Sequence, residues 1–291
     1  MKKKIIFTSQ GHRADIGDYK INRIVPNRYA DAVGPFVFLD HLMPAKLPTN
    51  APIKSVDGTG AHPHRGIATL TYIINGEADH FDSAGHHARV RSGGAQWMKA
   101  GNGIIHDEAV NADVEANDQL THAMQFWINL PAAQKATAPE YLPVQAGDVP
   151  QKPLPANAGW IKVIAGEYEN LVSPIPSYTK QLLYHIHLNE GSHFTFDTNP
   201  DWEYAAFFPL QGAVVNGTEY VGGDFLLFET EQGAIELSNI GQSPADIILF
   251  GGEPYTEPIV SYGPFVMNTQ QEIATAYRDF HAGKYGEINY K

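Results

Sequence analysis

The stretch from Gly60 to Asn111 begins GAHPHRG and closes AGNGIIHDEAVN, and it constrains the fold more than any other part of the chain. His62 and His64 lie two residues apart, as do His106 and Glu108, and on an extended strand residues i and i+2 project from the same face. Between the pairs, ATLTYIING ends in an Asn75-Gly76 turn and EADHFDSAG turns between Ser83 and Gly85. HHARVRSGGAQWM then supplies two short strands parted by Gly93-Gly94. A path so rich in hairpins can bring the second pair back beside the first. Three imidazoles and one carboxylate would then converge, a donor set suited to iron, manganese, nickel or copper with positions left for water or substrate.

Strand signals continue on either side. IIFTS, YKINRIV and FVFLDHL read as strands, and residues 42–60, rich in Pro, Lys, Asn and Gly, read as a surface loop leading into the first histidine pair. THAMQFWINLP alternates well enough for a strand and stops at Pro131. Six prolines between residues 131 and 159 mark a connection, after which a second β-rich series runs from WIKVIAGEY to ADIILFGG. The reading is all-β: two antiparallel barrels, residues 1–140 with the metal and residues 141–291 without it. Near the end, Ile273, Ala276, Tyr277 and Phe280 recur at helical spacing before Gly283, which predicts a short C-terminal helix.

Composition narrows the function classes. A formal charge of −12 and the lack of a basic run beyond MKKK argue against a nucleic-acid footprint. No window is apolar for long enough to span a membrane, and the apolar run after MKKK is too short for a signal peptide. With no cysteine, any metal must be held by histidine and carboxylate, and the cytoplasm is the expected compartment, with the nucleus an alternative in a eukaryote. The 27 Gly, 20 Pro, 14 Phe and 14 Tyr favour many short strands over long helices.

Other residues invite a site but fit a plainer role. His80 and the His86-His87 pair flank turns and read as surface hairpin residues, with His80 a supporting partner of the site as the alternative. His185, His187 and His193 imitate a second site, yet the first two fall inside an apolar strand and no later His-x-Glu completes the set. Phe36, Phe38, Trp97, Phe126 and Trp127 read as barrel core rather than pocket lining.

GAHPHRG followed by GGAQWMKAGNGIIHDE resembles the paired metal motifs of the cupin superfamily, and more closely those of the pirin family. QFWINLP with KATAPEY, GPFVFLDH near the start and EPIVSYGPFVMNTQQEI near the end resemble further pirin signatures, in order and over most of the chain. The resemblance implies a bicupin whose four metal ligands are His62, His64, His106 and Glu108, with Gly101 and Gly103 forming the turn before the third histidine. Where many cupins carry Glu soon after the second histidine, this chain has Ala68 and Thr69, so the carboxylate falls to Glu108. The pirin C-terminal half lacks the metal motif. Some pirins act as quercetin 2,3-dioxygenases, so the resemblance implies one divalent ion, Fe(II) foremost with Mn, Ni, Cu, Co or Zn as alternatives. A flavonol-like substrate and O2 would meet there, with Glu108 as catalytic base. Pirins are also transcriptional co-regulators and partners of metabolic enzymes, which implies a metal-dependent adaptor with a protein partner as the alternative.

Overall fold

The computed structural model describes residues 1–48, 53–113, 115–116 and 119–291. It is mostly strand, with one α-helix, as expected. Two compact units emerge, and each is assembled from two stretches: Met1–His41 with Val149–Tyr255, and Leu42–Asp148 with Thr256–Lys291. The division at residues 140 and 141 expected from the sequence is contiguous, whereas each end of the chain joins the unit made mainly from the opposite half.

In the unit built on Leu42–Asp148, a small sheet runs in the order His62–His64, Ile104–Asn111, Glu77–Asp82, His87–Arg91. Strands Glu140–Val144, Ala95–Lys99, Ile67–Asn75 and Leu120–Asn129 hydrogen-bond side by side in that order in a larger sheet. All the pairings are antiparallel. Short strands joined by tight turns place many residues in ladders at small sequence separation, as the Gly and Asn turn signals required.

The unit built on Val149–Tyr255 repeats the plan. Its small sheet runs His193–Asp197, Ala234–Ser238, Val214–Val215, Thr218–Glu219. Its large sheet runs Ile5–Ser9, Phe225–Phe228, Glu203–Phe207, Ala245–Gly252, Gln181–Leu188, Gly159–Ala165, Gln151–Pro153. Strict alternation in His193–Asp197 and Ala234–Ser238 sends Phe194, Phe196, Ile235 and Leu237 into one apolar core with Tyr184, Ile186, Tyr204 and Ile247.

The proline-rich connection is not bare coil. Glu140–Val144 pairs with Ala95–Lys99, and Gln151–Pro153 pairs with Trp160–Lys162, so each end of the connection is taken up by a sheet. Of the loop expected over residues 42–60, the strand Phe36–Lys46 covers the start, and residues 49–52 lie outside the described residues. Phe36, Phe38, Trp97 and Phe126 are buried, as expected of core.

The C-terminal helix spans Gln270–His281 and follows its capping chemistry closely. Thr269 Oγ1 accepts from the Glu272 backbone N–H, while Glu272 Oε2 accepts from Thr269 and from the Asn268 N–H, a reciprocal cap that satisfies groups the first turn leaves open. Ile273 and Ala276 are buried, and Gly283 at φ +72° follows the last turn. No helix among the described residues is long and apolar enough to cross a membrane.

Candidate metal centre

Strand Ile104–Asn111 organises the site because it pairs on both edges. On one edge His106 lies opposite His62 and Ile104 opposite His64; on the other His106 lies opposite Asp82 and Glu108 opposite His80. Directly paired residues share a face, and so do residues two apart. His62, His64, His80, Asp82, His106 and Glu108 therefore all project to one side of the small sheet. The turn that starts the strand uses Gly103 at φ +125°, where a Cβ would collide with the Tyr285 ring.

Three of the expected residues meet. The ligating atoms of His62, His64 and His106 all lie within 4.8 Å of one another. His62 Nδ1 donates to the Gly60 carbonyl at 2.8 Å, and His64 Nδ1 donates to the Pro264 carbonyl at 3.1 Å. Those two bonds fix the tautomers and leave the Nε2 lone pairs facing inward, the arrangement found behind metal-binding imidazoles. His64 Nε2 is buried and has no hydrogen-bond partner among the described residues, and the Nε2 atoms of His62 and His106 stand 3.0 Å apart. Two ring nitrogens at that distance require a shared proton or a cation. The residues present fit a metal ion.

Electrostatics points the same way. Burial, reinforced by the neighbouring His62 and only partly opposed by the Pro264 carbonyl, pushes the His64 pKa down to about 3. Burial, then His62, His64 and His80, pushes His106 well below the usual histidine value. Both rings are held neutral, the form that coordinates metal.

Glu108 lies on the other side of His106. Its Oε1 is 3.8 Å from His106 Nδ1 and 3.5 Å from His80 Nδ1, and His80, His106 and Glu108 form a second close group. Gln96 Nε2 donates to Oε1 at 2.6 Å and Gln125 Nε2 to Oε2 at 3.0 Å, so both carboxylate oxygens are held. Tyr141 in turn donates to Gln96 Oε1 at 3.1 Å.

His80 is not a surface hairpin residue. It is fully buried, its ring stacks on Tyr141 at 4.1 Å, and its Nε2 lies 3.1 Å from Asp82 Oδ2. Burial opposes charge on His80, but the Asp82 and Glu108 carboxylates outweigh it and raise the pKa. Asp82 also accepts from His86 Nδ1 at 2.8 Å. The signal that could have found this group is a third pair at spacing two, His80 and Asp82, on the hairpin between the other pairs. Trp127 is the exception among the aromatic residues: its ring meets His64 edge to face at 5.0 Å. His185 and His187 instead share Asp246 Oδ1 at 3.0 and 2.7 Å, and His193 is exposed.

The C-terminal segment completes the site from far along the chain. Besides the Pro264 carbonyl, the Val266 N–H donates to the Arg65 carbonyl, and Arg65 pairs with Asp279 on the helix at 2.9 Å. Buried Lys135 donates to the Gly66 and Val266 carbonyls and to Asn129, tying the HPHRG turn to that segment. Burial, against weaker attraction from Glu257 and Glu272, pushes the Lys135 pKa down to about 8.

Comparison with known proteins agrees with this architecture. Residues 18–128 match the family model for pirin, and residues 183–286 match that for the pirin C-terminal cupin domain. A Pseudomonas aeruginosa protein that carries the provisional name quercetin 2,3-dioxygenase is 32% identical over 288 residues, covering 98% of this chain and 99% of its own. Mouse pirin is 31% identical over 236 residues, 77% of each chain. A crystal structure named as quercetin 2,3-dioxygenase from Acinetobacter baumannii superposes with a TM-score of 0.90 at 30% identity, covering 99% of this chain and all of that one. With two cupin-type domains in the matching order and relatives that span its length, the chain belongs to the pirin family.

Proposed function

We propose that the protein is a metal-dependent dioxygenase of the quercetin 2,3-dioxygenase type, with His62, His64 and His106 holding the ion, Fe(II), and Glu108, beyond His106, as the carboxylate of the site. The observation that carries the reading is the convergence of three histidine nitrogens, one orphaned and two at 3.0 Å, beside a carboxylate gripped by two glutamines. The provisional names of the relatives at 30–32% identity support the substrate class.

A bound ion of this kind supplies Lewis acidity and redox capacity for the reaction of an ionised flavonol with O2. The chain's own residues do the rest. His62 and His64 are aimed by the Gly60 and Pro264 carbonyls, so their lone pairs are in place before any ligand arrives. Glu108 takes the proton of the flavonol hydroxyl. Gln96 and Gln125 hold its carboxylate during that step, and His80 lies within 3.5 Å of it. Trp127, edge-on to His64, adds a flat wall beside the histidines.

The test is metal analysis of the purified protein followed by reconstitution with each first-row ion, recording quercetin loss against O2 uptake. One ion per chain with coupled consumption is the expected result. Failure of every ion to give turnover would transfer the reading to a metal-dependent regulatory protein acting through a protein partner.

A further inference from the structure

The unit made from Met1–His41 and Val149–Tyr255 contains a cavity of about 1150 Å³, independent of the histidine cluster. Its wall is aromatic: Tyr168, Tyr184, Phe196 and Trp202 line it, with the Tyr168 and Tyr184 rings 6.2 and 5.9 Å from Phe196. Tyr168 and Trp202 are only partly buried, so they present ring surface to an occupant. Gln181, 4% exposed, borders the cavity, with Nε2 donating to Ser177 Oγ at 3.3 Å.

Charge selects the occupant. The lining holds Glu167, Glu169, Asp197 and Glu253 but one basic residue, Lys180. Glu169 is paired with Lys152, and Glu253 with Lys180 at 2.8 Å. Glu167 and Asp197 form no ion pair among the described residues, so the mouth carries uncompensated negative charge. Lys152 Nζ also stands 5.2 Å from the centre of the Tyr168 ring, a cation already seated over this wall.

We propose that this cavity is a second small-molecule site, needing no metal, that binds an aromatic ammonium compound. The ring lies on the aromatic wall, and Glu167 and Asp197 offset the amine's charge. A carboxylate ligand of the same shape is repelled by the two free carboxylates.

Calorimetric titration of the full-length, metal-loaded protein with tyramine tests this, with 4-hydroxyphenylacetate and 4-ethylphenol as size-matched anionic and neutral controls. None of the three carries adjacent hydroxyls that would chelate the ion. Tyramine should bind once per chain, at least about tenfold more tightly than the anion. Asp197→Asn, an exposed change that leaves the core alone, should weaken tyramine by about threefold or more, and Trp202→Ala by about tenfold. His64→Ala should leave the titration unchanged, because the metal centre takes no part. Equal binding of the anion, indifference to either cavity substitution, loss in His64→Ala, or no heat with tyramine at millimolar concentration would each overturn the proposal. Quercetin turnover by Asp197→Asn should equal that of wild type, which separates this site from the reading of the metal centre.

Discussion

The two barrels use the same strand order in their small sheets and spend the inward positions in opposite ways. In one, the strands His62–His64 and Ile104–Asn111 turn His62, His64, His106 and Glu108 inward. In the other, the corresponding strands His193–Asp197 and Ala234–Ser238 turn Phe194, Phe196, Ile235 and Leu237 inward, and all four are buried in the core. Each such side chain contributes roughly 1.5–3 kcal/mol through burial, whereas buried imidazoles and a carboxylate lose hydration and must find partners. The fold tolerates either solution. The histidine barrel gives up apolar packing at those positions and recovers order through hydrogen bonds, among them Gly60 to His62, Pro264 to His64, and Gln96 and Gln125 to Glu108.

That contrast can be broken most directly at His64. His64→Ala should remove bound metal almost completely, as read by elemental analysis, and a full equivalent remaining would mean that another set of residues binds the ion. Glu108→Gln comes next: it keeps an oxygen donor but loses the basic carboxylate, so turnover per bound metal should fall by about 10²–10⁴-fold. Unchanged turnover per metal would remove Glu108 from the role of base. In the other barrel, Phe196→His should gain no metal, because one imidazole lacks the converging partners, and should cost on the order of 3 kcal/mol in denaturant unfolding. A gain of metal with unchanged stability would show that the apolar set is incidental.

Smaller effects sharpen the picture around Glu108. His80→Gln removes the ring stacked on Tyr141 and facing Glu108, while the matching strand of the other barrel has buried Val215 opposite Leu237. Turnover per metal should fall by about tenfold with metal content largely kept, since supporting partners typically contribute 10–100-fold. Tyr141→Phe deletes only the donor to Gln96, one bond removed from the carboxylate, and the loss should be about threefold, near the 0.5–1.5 kcal/mol of one hydrogen bond. A larger loss in Tyr141→Phe than in His80→Gln would reverse the order of importance assigned to the two contacts.

Much of the site was legible because strand geometry is local. A spacing of two places His62 with His64 and His106 with Glu108 on one face whatever the rest of the chain does, and the helix at Gln270–His281 followed from its apolar spacing and caps. A position near a turn points His80 to the surface, with support of the site as the alternative, and sequence alone does not say which face of a hairpin will be covered. The sequence signal for its inward face is its pairing with Asp82 at the same spacing of two. Trp127 reads as a core aromatic from sequence, because an alternating strand does not disclose that one of its rings borders histidines.

The all-β class, the pairing of chemical groups two residues apart, and the lack of a second His-x-Glu pair in the later half are legible in the sequence alone. Those properties depend on side-chain period and composition, which are readable one residue at a time. Tertiary structure alone decided that Pro264, 200 residues away, orients His64, and that Glu108 stands on the far side of His106, held by Gln96 and Gln125. It also decided that Met1–His41 and Thr256–Lys291 each complete the unit begun by the other half. Contacts of that range depend on which sheet edges and carbonyls remain open after local pairing is complete, and no local pattern encodes that.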